Sequence, residues 1–182
     1  MEIRPVRPAE YARAGQLTVA AYRSLEAELE EEYAKDLEAV ADRVADAEVL
    51  VAVDGDLLGC VTFVPDAASP LAEGVAAGEA AIRMLAVDPG AQRRGVGAAL
   101  VGACVDRARE RGRAGLFLHS TPWMPTAHRL YLRLGFVRVP ERDWLPVPEV
   151  PLLAFRLDLT GVEAAVEAQD DDLIGSGGPD GG

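Results

Sequence analysis

The residues of this 182-residue chain best suited to chemistry stand in Gln92-Arg93-Arg94-Gly95-Val96-Gly97-Ala98. Gly95 and Gly97 lack a Cβ, so the backbone there can curl until successive N–H groups face one concavity. A stretch with helical periodicity follows, and the N-terminal end of a helix adds partial positive charge at the same spot. Such a turn binds phosphate. Arg93 and Arg94 are placed to add charge-assisted contacts to a pyrophosphate or a ribose phosphate. Spacing separates the alternatives. A Walker turn requires Gly-x-x-x-x-Gly-Lys-Ser/Thr, yet the chain's single lysine is Lys35, far from this segment. A dinucleotide turn requires Gly or Ala three residues after its second glycine, where Leu100 stands.

Other reactive side chains are sparse. Tyr131 shares an apolar helical face with Ala127 and Leu134, and periodicity alone makes it a core aromatic. His119 ends a short apolar run and titrates in the range useful for acid–base work, whereas His128 reads as a helix-surface residue. Cys60 and Cys104 sit in apolar surroundings as reduced core thiols, and no Cys or His pair has metal-ligand spacing, so no metal is expected. The net charge of -12 argues against nucleic acid as a partner. Part of that charge lies in Glu26–Glu32, which reads as a solvated helical face or connection, although acids beside an acceptor pocket would favour cationic amines. No basic, apolar leader opens the sequence and no apolar run nears the ~20 residues that span a bilayer, so a cytoplasmic location away from membranes is expected.

These residues need elements to position them. Ile3–Val6 reads as a first strand, Pro8 opens a helix, and a second helix is expected over Tyr33–Ala45. Glu48–Val53 and Leu57–Val64 flank Asp54-Gly55-Asp56, a strong hairpin signal. Pro65–Gly78 lacks periodicity and reads as a long acceptor-side flap. Glu79–Val87 is a central strand with Ala81, Leu85 and Val87 on one parity. A helix then runs from Gly95 to a stop at Gly112, Leu116–His119 is a strand, and Pro125–Gly135 a helix. Phe136–Val139 and the stretch ending at Leu159 supply the last strands. Residues 1–160 therefore form one domain, and 161–182, acidic and then Gly-rich, an expected disordered tail.

Three segments in this order resemble the GNAT superfamily of N-acetyltransferases: Met84-Leu85-Ala86-Val87-Asp88-Pro89, the turn Gln92–Gly97, and Ala127–Phe136 with its Leu-Gly-Phe ending. The likeness is looser over residues 3–64. The resemblance implies an α+β GNAT (acyl-CoA N-acyltransferase) fold, a mixed, mostly antiparallel twisted sheet of six to seven strands flanked by about four helices. It implies acetyl-CoA as cosubstrate, held by Gln92, Arg93, Arg94, Gly95, Val96, Gly97 and Ala98 at its phosphates and by the backbone of Leu85, Ala86 and Val87 along the pantetheine. In that family a backbone N–H near these strand residues meets the thioester oxygen. Tyr131 corresponds to the family's general acid beside the sulfur, and Glu79 to its fourth-strand base, with His119 the competitor. Members often carry Asn where this chain has Met124, a departure that leaves Ser120 or Thr121 to make that contact. The acceptor is expected to be a primary amine of a small molecule or peptide, and homodimers are common in the family. A non-catalytic, CoA-binding regulatory module is the alternative.

Overall fold

The computed structural model describes residues 1–25, 29–148 and 150–162. Glu26–Glu28 of the acidic stretch and nearly all of the expected tail lie outside the described residues. β1 (Glu2–Pro5) leads through a single 3-10 turn into α1 (Tyr11–Arg23), α2 (Glu31–Glu38) and α3 (Val40–Asp46). β2 (Glu48–Asp54) and β3 (Asp56–Val64) form a hairpin whose tight turn depends on Gly55 at φ 76°. β4 (Glu79–Val87), α4 (Val96–Glu110), β5 (Gly115–Ser120), α5 (Pro125–Arg133), β6 (Val137–Arg138) and β7 (Leu153–Asp158) complete the order. The seven strands make one sheet, β1-β2-β3-β4-β5-β7-β6, antiparallel throughout except for the parallel pair β4/β5. No helix among the described residues is long and apolar enough to cross a membrane.

Both faces of the sheet are covered. Leu100, Cys104 and Tyr131 from α4 and α5 bury Leu50, Val61, Phe63, Ile82 and Leu118 on one face. Leu17 and Ala21 of α1 and Val40 of α3 bury Val49, Val51 and Cys60 on the other. The free thiols Cys60 and Cys104 lie within these cores, and burial pushes Cys104 up to about 12, so neither is a ready nucleophile. The segment 65–78 packs Leu71, Ala72 and Val75 on Phe117 and Ala81. It is strapped down: Arg83 donates to the Leu71 carbonyl at 3.0 Å and Arg142 to that of Gly74 at 2.6 Å.

Two expectations from periodicity fail for local reasons. The second helix is two, broken at Ala39 (ψ 61°), because Arg43, 4% exposed, turns back to donate to the carbonyls of Asp36 and Leu37. This caps α2 and keeps Leu37 and Val40 both buried. Parity also changes within β4. Against β3 the register runs Thr62↔Arg83 and then Cys60↔Ala86, so β4 carries one extra residue, and Met84 adopts φ 52° there. Ala80 and Ile82 face the α4 side before the bulge; Leu85 and Val87 face it afterwards, and Ala81 lies opposite them. One inserted residue thus re-aims the strand's C-terminal half.

α1 and α2 meet through Gly15, where a Cβ would overlap the backbone carbonyl of Glu38. Gly15→Ala is therefore expected to lower the unfolding free energy by about 1–3 kcal/mol, measured by urea denaturation.

Candidate functional site

β4 pairs with β5 only from Glu79↔Gly115 to Ile82↔Leu118. Beyond that point β5 continues beside β7 to Ser120↔Leu153, while Arg83–Val87 have no strand partner on that side among the described residues. The parallel pair therefore splays open toward its C-terminal end. The edge it exposes includes Leu85, Ala86 and Val87, the residues expected to pair with an extended ligand arm. Unpaired strand backbone is a ready template for such an arm.

The Gly-rich turn stands at the same end. Gln92, Arg93, Arg94 and Gly95 are exposed, and left-handed Arg93 (φ 63°) and Gly95 (φ 79°) bracket Arg94. Alternation of this kind curls amides into an anion-binding concavity. Gly95 is the N-cap of the 15-residue α4, with open space where its Cβ would be. Val96 is buried and anchors the helix, and a Cβ on Gly97 would press on Leu130 at 3.2 Å. Ala98 follows in the first turn, half-buried. Arg94 forms an exposed ion pair with Asp54 at 3.2 Å, which a phosphate would have to outcompete. These residues fit a phosphorylated ligand.

Next to the splay lies a cleft of about 870 Å³ walled by Leu85, His119, Thr121, Ala127 and Tyr131 among others. Tyr131 is 5% exposed, its ring centroid 5.8 Å from those of Phe136 and Phe155. Burial pushes its phenol well above the ordinary value, with a smaller contribution from Cys104, so it stays protonated at neutral pH. The Thr121 hydroxyl is buried in the cleft wall with no hydrogen-bond partner among the described residues. A buried hydroxyl of this kind favours a ligand that completes it.

His119 contributes differently. Its Nε2 lies 3.0 Å from the Arg142 carbonyl, which can only accept, so Nε2 carries the proton and Nδ1 is left as the acceptor. Burial lowers its pKa, the carbonyl raises it and the Arg142 charge lowers it; the net result is below the ordinary value, and the ring is neutral at pH 7. His128 rests beside Phe155 with Nε2 3.2 Å from the Ser120 hydroxyl, less exposed than a surface helix position implies.

The geometry argues against Glu79 as general base. Arg142 donates to its Oε1 (3.1 Å) and Oε2 (2.8 Å), Arg156 Nε to Oε1 (2.7 Å), and the Ala76 amide to Oε2 (3.1 Å). These four bonds use the acceptor capacity of a carboxylate, and Glu79 is not among the residues lining the cleft. Gly115, its partner in β5, leaves room for the Arg156 guanidinium, which a Cβ would meet at 2.6 Å. Arg142 also stacks on Phe117, 3.8 Å from the ring centroid. Glu79 is thus the hub that ties β4, β7 and the segment after β6 together. Sequence reading passed over Arg142 and Arg156 because no local pattern marks a partner 63 or 77 residues away.

Residues 14–136 match the family model described as the acetyltransferase (GNAT) family. The chain belongs to the GNAT acetyltransferase family. Solved structures share its fold. A GNAT-family acetyltransferase from Staphylococcus aureus Mu50 superposes with TM-score 0.69 at 14% identity, covering 87% of this chain and 98% of its own. The putative acetyltransferase yncA from Salmonella typhimurium, solved with acetyl-CoA, has TM-score 0.64 and 19% identity over 88% and 94%. PaiA N-acetyltransferase from Thermoplasma acidophilum, in complex with coenzyme A, has 0.67 and 13% over 86% and 98%. No curated protein sequence matches the chain.

Glu79 generates a pH prediction for this GNAT fold. Burial raises its pKa, but Arg142 and Arg156 lower it further, and the net shift is downward. A depressed carboxyl contributes stability that is fully present above its unfolded value of ~4.3 and is lost as pH falls through the folded value. Glu79→Gln is expected to be less stable than wild type at pH 7, with the gap closing below about pH 4. Urea midpoints measured across pH 3–7 (~4 units about the unfolded value) check it.

Proposed function

We propose that residues 1–160 form an acetyl-CoA-dependent N-acetyltransferase in which a primary amine attacks the thioester directly, both substrates being bound together. The observation that carries this reading is the splay beyond Ile82 and Leu118, with Tyr131 and the turn at Gly95 beside it. The solved relatives bound to acetyl-CoA and coenzyme A support the cosubstrate. Acetyl-CoA, when bound, supplies an acetyl group on a leaving thiol.

The chain's own groups meet the remaining needs. Amides of 93–98 and the start of α4 hold the phosphates, aided by Arg93, Arg94 and Gln92. The edge backbone at Leu85–Val87 aligns the pantetheine, and an N–H there stabilises negative charge on the carbonyl oxygen. The Thr121 hydroxyl takes over the contact that Met124 lacks. Neutral His119 accepts the proton of the attacking amine at Nδ1, and Tyr131 gives its proton to the departing sulfur. His119 replaces Glu79 as base in this scheme because its Nδ1 lone pair has no partner among the described residues and it lines the cleft.

Calorimetry with coenzyme A tests the binding half, and thiol release from acetyl-CoA across an amine library the catalytic half. Tyr131→Phe is expected to lower kcat by roughly 10²–10⁴ while leaving the heat of coenzyme A binding intact. Were the chain a regulatory module instead, wild type would bind coenzyme A and release no thiol with any amine. His119→Gln separates the base: wild-type kcat/KM should fall on an acid limb with a pKa below ~6.5, and the variant should lose that limb together with much of kcat. An unchanged limb would return the role to another group.

A further inference from the structure

Part of the cleft wall, its lobe from α1, α2 and the segment around Trp144, differs in kind from the phosphate turn. Tyr22 at the end of α1 and Tyr33 in α2 meet edge to face, centroids 6.1 Å apart, and Trp144 lines the same cleft. Trp144 is 42% exposed, yet its backbone is fixed by reciprocal bonds with Leu152 (3.0 and 2.8 Å) and its ring lies 6.2 Å from that of His119. Glu30, Asp36 and Glu73 line the same lobe. Glu73 pairs with Arg83 at 3.3 Å, and Arg83 also donates to the Leu71 carbonyl, so the one guanidinium among the described lining residues is committed. Glu30 and Asp36 form no ion pair among the described residues. The lobe thus combines aromatic surface with uncompensated negative charge.

Resting on the proposed transferase reading, we infer that the acceptor is a small amphipathic primary amine, a cationic nitrogen on an aromatic or bulky apolar body with no carboxylate. The carboxylates attract the ammonium and the rings take the body, through apolar contact and cation–π attraction. A carboxylate on the acceptor would meet Glu30 and Asp36 with no free cation among the described lining residues to receive it. A polyamine would satisfy the acids but carries no bulky apolar body to bury against Pro146, Val147 and Leu152. A peptide would bring amides that the apolar lining of Pro146, Val147 and Leu152 does not hydrogen-bond through side chains. The cleft's size lies within the range of small-molecule sites, ~300–1,000 Å³. Arg43 makes this wall a built one, since its two bonds to α2 carbonyls hold the helix that carries Tyr33 and Asp36.

The test is calorimetric, so that it does not depend on turnover. Tryptamine, tryptophan, spermidine and a short peptide with N-terminal Trp are titrated into the full chain saturated with coenzyme A. Tryptamine is expected to bind at least about tenfold more tightly than each of the others, Trp144→Ala to weaken it about tenfold, and Asp36→Asn to weaken it with an effect that shrinks in high salt. Equal or tighter binding of tryptophan, spermidine or the peptide overturns the inference, as does indifference to Trp144→Ala. Thiol release from acetyl-CoA is read in parallel with the same amines. Tryptamine binding without release would sink the transferase reading and leave the acceptor class standing; release with spermidine or tryptophan preferred would do the reverse.

Discussion

The parallel contact between β4 and β5 lasts four residues and then ends, and the rest of the site depends on that divergence. A sheet that continued in register would bury the edge of Leu85–Val87 in a ladder and leave no slot beside Tyr131. Two features keep the strands apart. The bulge at Met84 puts a non-glycine residue at φ 52° and turns the end of β4 away. Meanwhile β7, inserted between β5 and β6, holds β5 in a straight ladder to Ser120. Glu79 pins the closed end of the fork through Arg156 of β7 and Arg142, so the opening occurs at one end only. A carboxylate that looked like a reagent in the sequence is a fastener in the structure.

What was legible in the sequence was local. The turn at Gln92–Gly97, the Asp-Gly hairpin, the stop at Gly112 and the capping Pro125 each depend on residues within a few positions, and each stands where expected. What was illegible depended on pairing at a distance. Nothing in Glu79-Ala-Ala-Ile-Arg-Met-Leu-Ala-Val signals a bulge, because strand periodicity is read by assuming that no residue is inserted. Ala39 carries no breaker signal either; the break follows from Arg43 reaching back to carbonyls that a continuous helix would have kept. Trp144-Leu145-Pro146-Val147-Pro148 is apolar without alternation, which is poor material for a solvated loop, yet no period marks it as a cleft wall.

Charge is divided between two places on the molecule. The exposed turn at Arg93 and Arg94 is cationic, and the cleft wall bearing Glu30 and Asp36 is anionic. With a Debye length of ~8 Å at physiological ionic strength, the net charge of -12 does not reach across the molecule to oppose an anion at α4. Local geometry decides in each place. A chain whose overall charge argues against nucleic acid can therefore still carry a turn shaped for an anion.

The acidic lobe also sets a demand on the chemistry. Carboxylates near an amine favour its charged form and raise its pKa, yet only the neutral amine has a lone pair with which to attack. Recognition by Glu30 and Asp36 would thus draw in the acceptor in its unreactive state. A proton acceptor must then stand in the same cleft, neutral at the working pH and not itself saturated with donors. Glu79 fails the last condition with its four hydrogen bonds, and His119 meets all three, because burial lowers its pKa and the Arg142 carbonyl fixes its tautomer. On the proposed reading, the tighter the acidic lobe holds an ammonium, the more the reaction depends on that imidazole.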